Sequence, residues 1–150
     1  MNIMTKDELL NKAIRIAEKA HKGQKDKYHT PYIGHVMRVV NYGKTLDEKI
    51  VGALHDVIED NEEYTIDSLR EMGFPENILF AVSCLTKYPT DTDYMEFIQK
   101  IEKSPLAVAV KMNDLRDNMD LTRVNRQLTN KDLKRFNKYL IAYRYLVEKY

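Results

Sequence analysis

Three observations predict an all-α bundle of about eight helices. Apolar residues recur at helical spacing in one segment after another, as in Leu9, Ala13, Ile16, Ala17 and Ala20. Helix-start signals precede those segments, with Glu three residues after Thr5 and Thr45 and Pro directly after Ser104. No segment alternates apolar and polar residues between turn signals as a half-buried strand or hairpin would. With 150 residues, five Gly, four Pro and no repeat or low-complexity stretch, one domain over residues 1–150 is expected.

The elements follow in order. Thr5 caps a first helix that Gly23 stops, and the polar stretch from Gly23 to Thr30 reads as a loop. Pro31 opens a second helix running through Val36, Val39 and Val40 to Gly43. Thr45 starts a third, expected to continue unbroken to about Asn61. Thr65 and Gly73 bracket a short helix, and Pro75 opens another through Leu85. After a polar loop from Lys87 to Thr92 come an amphipathic helix over about Asp93 to Glu102 and one launched by Ser104-Pro105. The last helix, about Lys131 to Glu148, shows Leu133, Phe136, Leu140, Tyr143 and Leu146 as its apolar stripe.

Charge is nearly balanced, with 24 basic and 23 acidic residues and a net charge of +1, so nothing suggests a nucleic-acid polymer as partner. The single cysteine, Cys84, sits in an apolar run and reads as a small buried hydrophobe, which excludes disulfide and cysteine–zinc frameworks. No apolar run is long enough to span a membrane, and the N-terminus is amphipathic rather than a signal peptide. The expectation is a cytoplasmic protein with no membrane partner; a homo-oligomer stays open.

Chemistry concentrates in Gly52-Ala-Leu-His55-Asp56-Val-Ile-Glu59-Asp60. On one continuous helix, stepping about 100° per residue places Glu59 about 40°, Asp56 about 100° and Asp60 about 140° round from His55. Gly52, at about 60°, would leave room there for a ligand. A mostly buried helix carrying a histidine and three carboxylates on one side is costly to fold without a cation. Lys111, Asp114 and Asn118 share a side of a later helix and supply a further carboxylate. His35, His55, Asp56 and Asp114 form a mixed imidazole–carboxylate set that suits Mn²⁺, Fe²⁺, Co²⁺, Zn²⁺ or Mg²⁺. With such a metal, Glu59 and Asp60 are placed to orient or deprotonate a bound water in a hydrolytic reaction on a phosphoryl group. Lys25, Lys27, Lys87, Lys111 and Arg135 are candidate phosphate-binding cations, and Tyr139 is the tyrosine expected beside the pocket. His21 and His29 could be ligands too, but a capping or packing role is the expectation for each.

These residues, taken together, resemble the HD-domain hydrolases of the RelA/SpoT type. The chain is most similar to their small stand-alone members, including the metazoan SpoT homologues. The resemblance runs from about Ala17 to Tyr139 and rests on Ala20-His21-Lys-Gly-Gln24, Pro31-Tyr32-Ile33-Gly-His35, Leu54-His55-Asp56-Val-Ile-Glu59-Asp60, Leu85-Thr86-Lys87 and Val110-Lys111-Met-Asn-Asp114-Leu-Arg-Asp-Asn118-Met119. It implies an HD fold binding one Mn²⁺ through His35, His55, Asp56 and Asp114, with Glu59 and Asp60 acting on the attacking water. The implied reaction removes the 3′-diphosphate of guanosine tetra- or pentaphosphate (ppGpp or pppGpp), giving GDP or GTP and pyrophosphate. Asn118 would contact the nucleoside, and Lys87, Arg135 and Tyr139 fall where the family's pocket residues lie. No synthetase domain is expected within 150 residues. One departure stands out. Where the family usually has an Arg-Lys pair and then a glycine, this chain has Asp26-Lys27 and then His29. The family's Arg helps hold the guanine nucleotide, whereas Asp26 would repel an anion unless Lys25 substitutes. Another nucleotide or phosphorylated metabolite, NADPH included, is therefore the alternative substrate, and a catalytically silent nucleotide-binding module the alternative role.

Overall fold

A computed structural model describes residues 3–91 and 93–150. Thr92, at the end of the expected polar loop, lies outside the described residues. The described residues form α1 (Lys6–Ala20), α2 (Ile33–Tyr42), α3 (Leu46–Leu54), α4 (Val57–Asp60), α5 (Ile66–Glu71), α6 (Glu76–Leu85), α7 (Tyr94–Ile101), α8 (Pro105–Asn118), a 3₁₀ turn (Leu121–Arg123) and α9 (Asn130–Lys149). The all-helical expectation holds. No strand occurs among the described residues, only an isolated bridge between Lys25 and Pro31 that closes the first loop. None of the described helices is long and apolar enough to cross a membrane.

Local chemistry sets the helix starts. Thr45, Thr65 and Thr129 each form a reciprocal capping box, and the Thr5, Asp93 and Ser104 side chains accept from the first turns of α1, α7 and α8. The second helix begins later than Pro31 suggested, with Tyr32 as its cap. At the centre lies α3, packed by α1, α2, α6 and α8, with Ile50, Val51, Ala53 and Leu54 fully buried. The eighth helix runs through the interior and buries residues around its circumference, including Lys111, Asp114 and Asp117. It thus delivers charged side chains to the middle of the fold.

Three expectations are corrected. The helix beginning at Thr45 does not run to Asn61, because α3 ends at Leu54 and α4 starts at Val57. His55 donates its Nδ1–H to the Gly52 carbonyl at 2.6 Å, and Asp56 leaves helical geometry at φ −111°, ψ 2°. A side chain competing for a last-turn carbonyl ends the helix there. Gly52 does not leave room for a ligand. A Cβ there would meet Val39 Cγ1 at 3.3 Å and the Val40 nitrogen at 3.5 Å, so the glycine allows α2 to approach α3 closely. On α9, Leu133 and Leu140 are 47% and 50% exposed, whereas Asp132, Ala142 and Leu146 are buried and Arg135, Tyr139 and Tyr143 half-buried. The inner face of α9 carries polar groups because part of it walls a cleft.

Candidate metal centre and nucleotide cleft

The break after α3 turns His55 and Asp56 toward α2 and α8, which bring His35 and Asp114. One ligand atom from each of these four residues lies within 4.8 Å of the others. His35 Nε2 is 3.0 Å from Asp114 Oδ1, and His55 Nε2 is 2.9 Å from Asp56 Oδ2 and 3.4 Å from Asp114 Oδ1. Atoms bound to one small divalent ion at about 2.1 Å in adjacent octahedral positions would stand about 3 Å apart. The set fits such an ion.

The surroundings fix the donor atoms. His35 donates Nδ1–H to Asp117 Oδ2 at 2.6 Å, and His55 donates Nδ1–H to the Gly52 carbonyl. Both Nε2 atoms are buried without a hydrogen-bond partner among the described residues and face carboxylates. The Tyr32 hydroxyl donates to Asp56 Oδ2. Lys111 Nζ at 2.9 Å and Asn118 Nδ2 at 3.1 Å occupy the two oxygens of Asp114. Each of the four residues is thus held from outside the cluster, as a metal-binding side chain needs to be. A proton or a cation must lie between acceptors this close. Burial disfavours an imidazolium at His55, but Asp56 and Asp114 outweigh it and hold the ring well above its ordinary pKa. Burial likewise opposes ionisation of Asp114, and Lys111 with the two histidines overcomes it, keeping the carboxyl well below its usual range.

Two adjoining cavities open beside the cluster. One, of about 270 Å³, is lined by His55, Asp56, Asp114, Glu59, Lys87, Lys111 and Lys138, with Tyr94 and Phe97 behind. The other, of about 320 Å³, is lined by Lys25, Asp26, Lys27, Tyr28, Arg123 and Arg135. Tyr32, Asn118 and Tyr139 belong to both and form the divide. Lys25, Lys27, Lys87, Lys111, Asn118, Arg135 and Tyr139 therefore all reach the cleft. Two of the cations are already engaged, Lys111 with Asp114 and Arg135 with Asp132 at 2.8 Å. Burial and the charges of Lys87, Lys27, Lys111 and Arg135 push Lys138 below its ordinary pKa, the signature of a crowded positive field.

The acidic pair divides. Glu59 lines the cleft and is raised by burial, while its Oε1 accepts from the Lys87 backbone at 2.7 Å. Asp60 lines neither cavity; it accepts from Gln24 at 2.9 Å, and Gln24 in turn pairs with buried His21 at 2.8 Å. His29 is exposed in a left-handed turn at φ 64°, and Cys84 is buried. Asp26 is turned onto its own loop, accepting from the Tyr28 and Thr30 amides at 2.9 and 3.0 Å and from the Thr30 hydroxyl at 2.5 Å.

Sequence patterning passed over Asp117, Arg38, Arg123, Tyr94 and Lys138. Fully buried Asp117 accepts from His35 and, at 2.7 Å, from Arg38 Nε. A usable signal existed in the i, i+3 spacing of His35 with Arg38 and of Asp114 with Asp117.

Fold and cleft define a helical domain with a candidate metal centre opening onto a cationic cavity. No protein-family model matches the chain. It is similar to the GTP pyrophosphokinase of Streptomyces coelicolor, 29% identical over 126 residues, and to that of Streptomyces antibioticus, 31% identical over 126 residues. The match covers 76% of this chain and 15% of each relative, so the chain spans a small part of their length. The similarity supports kinship with the RelA/SpoT family, without its hydrolase type. The relatives are named for pyrophosphoryl transfer to GTP, opposite to removal of a diphosphate, and this overturns the expected hydrolysis of guanosine tetra- or pentaphosphate.

Proposed function

We propose that the chain is a divalent-metal-dependent enzyme domain acting on the diphosphate group of a guanine nucleotide, in the pyrophosphoryl-transfer chemistry for which its relatives are named. The observation that carries this reading is one cleft joining His55, Asp56 and Asp114 of the ligand set to Lys87 and Lys138. His35, His55, Asp56 and Asp114 would hold the ion, with Mn²⁺ the first candidate for a mixed nitrogen–oxygen set. Once bound, such an ion draws charge from phosphoryl oxygens.

The chain's own residues supply the rest. Lys87 and Lys138 face the same cavity as the ligand set and offset the charge of a diphosphate. Tyr32 and Tyr139 give the nucleoside flat walls, and Asn118 stands between the two compartments. Glu59, the one acid lining the metal-side cavity outside the ligand set, is raised by burial toward the range of a proton acceptor. Its partner would be the acceptor hydroxyl, whose oxygen displaces a nucleoside monophosphate from the transferred diphosphate.

The test is to incubate the protein with Mn²⁺, GTP and ATP and to separate the nucleotides by anion exchange with mass detection. AMP and a guanosine nucleotide two phosphates heavier than GTP are expected, with Mn²⁺ required and Asp114→Asn inactive. Metal-loaded protein that returns both nucleotides unchanged would overturn the reading.

A further inference from the structure

In the second cavity, away from the ligand set, the position of Arg123 is the unusual feature. It sits in the 3₁₀ turn between α8 and α9, with its side chain 17% exposed. Two carboxylates attract the same nitrogen, Nη1, with Asp26 Oδ2 at 3.7 Å and Asp117 Oδ2 at 3.5 Å. These distances suffice for charge attraction but lie at or beyond the limit of a good hydrogen bond. Its Nε–H is buried with no hydrogen-bond partner among the described residues. The carboxylates are already committed: Asp26 to Tyr28 and Thr30, and Asp117 to His35 and Arg38. Arg123 is therefore a guanidinium fixed in direction with its donor fork unspent, in a cavity walled by Tyr28, Tyr32 and Tyr139.

An unspent planar fork beside aromatic walls matches a particular kind of base. Guanine offers two adjacent acceptors, O6 and N7, to a bidentate arginine, whereas adenine sets an amino donor beside N7. A lysine offers a point charge without that geometry. We infer that Arg123, aimed by Asp26 and Asp117, is the residue by which this cleft selects guanine over adenine. The guanidinium thus reaches the base pocket from the α8–α9 connection, and the aspartate of the first loop serves to orient it. This inference rests on the nucleotide reading of the cleft.

Calorimetric titration of GDP and ADP into Mn²⁺-loaded protein tests it. The parent should prefer GDP by about tenfold or more, the discrimination typical of one bidentate pair. Arg123→Gln should weaken GDP about tenfold and ADP less than twofold, and Arg123→Lys should fail to restore the preference. Asp26→Asn keeps an oxygen for the Tyr28 and Thr30 amides but releases Arg123, so it should cost GDP affinity selectively with Arg123 in place. Bound Mn²⁺ and the thermal midpoint identify any variant that has lost its fold, and Asp26→Asn then decides. Parent protein that binds neither nucleotide overturns the reading of the cleft. Selectivity retained in Arg123→Gln, or equal loss of both nucleotides, overturns this inference alone.

Discussion

Replacing Asp117 with Asn tests whether the ligand set is built for a metal. Asp117 is fully buried and uses both carboxylate oxygens, accepting from His35 Nδ1 at 2.6 Å and Arg38 Nε at 2.7 Å. An asparagine has one acceptor. Either its amino group meets the Arg38 donor or it meets the His35 donor, and the charge assistance is lost in both cases. Losing such a partner behind a metal-binding histidine typically costs 10–100-fold in metal affinity, or about 1.4–2.7 kcal/mol. Buried charged hydrogen bonds of this kind contribute about 1.5–3 kcal/mol each, so a stability loss of that order should accompany it. The sign with pH follows from the carboxyl itself. Burial alone would raise its pKa, and the His35 and Arg38 bonds overcome that and lower it. Its contribution is thus complete above the unfolded value of about 3.9 and disappears as pH falls through the lower folded value. The share of the gap that comes from the Asp117 carboxyl should be constant above about pH 5 and narrow below about pH 4, while loss of its bond to His35 adds a further dependence as that ring titrates. Mn²⁺ titration followed by paramagnetic resonance and urea unfolding at several pH values measure both effects. A variant that binds Mn²⁺ within twofold of the parent would refute the assignment of His35 as an oriented ligand.

The remaining predictions concern the ion, the core and the helix contact. Mn²⁺ at about a hundred times its dissociation constant should stabilise the fold by about 2.7 kcal/mol, raising the thermal midpoint by roughly 5–10 °C, and a chelator should reverse this. A midpoint indifferent to Mn²⁺ would count against the site. Leu146→Ala, at a fully buried position, should cost about 2–5 kcal/mol in urea unfolding, against less than about 1 kcal/mol for half-exposed Leu140. Equal losses would contradict the observed face of α9. Gly52→Val should destabilise by about 1–3 kcal/mol through overpacking against Val39 and the α2 backbone, and should weaken Mn²⁺ binding as His35 and His55 move apart. A neutral variant would mean that the α2–α3 approach is loose.

What was legible in the sequence was local. The caps at Thr5, Thr45, Thr65 and Ser104 act within one turn, so the sequence pattern placed those helix starts. His35, His55, Asp56 and Asp114 could be picked out because imidazoles and carboxylates on mostly apolar helices are costly without a role. The break at His55 was hidden, since it depends on a ring nitrogen competing for the Gly52 carbonyl, which no periodicity reports. The stripe of Leu133 and Leu140 misled for the opposite reason. Apolar spacing marks a core face only when the inner face is not also the wall of a polar cleft, and α9 turns Arg135 and Tyr139 inward. Asp117, Arg38 and Arg123 were missed because their partners lie far off in sequence. The direction of the reaction was illegible as well, because cations that stabilise a diphosphate do so on either side of a transfer.

Charge in the cleft also sets an order of binding. Asp56 and Asp114 are ionised, both carboxyls lying below their usual range despite burial, Asp56 at about 2. Lys111 offsets one of them, and Asp117 is offset separately by Arg38 and Arg123. In the metal-free cleft a proton on His55, whose ring is held well above its ordinary pKa, offsets the second carboxylate. A polyphosphate approaching that cleft finds only Lys87 and Lys138, nearer the mouth, to neutralise it. A divalent ion that takes the proton's place adds positive charge among the same carboxylates, and the lysines and the ligand set then pull together. Mn²⁺ should therefore bind readily to the nucleotide-free protein, while GDP should bind at least tenfold more tightly once Mn²⁺ is present. By linkage GDP should tighten Mn²⁺ by the same factor. Calorimetric titration in both orders measures the two factors. GDP binding indifferent to Mn²⁺ would place the diphosphate away from the ligand set and remove the basis for treating the two cavities as one site.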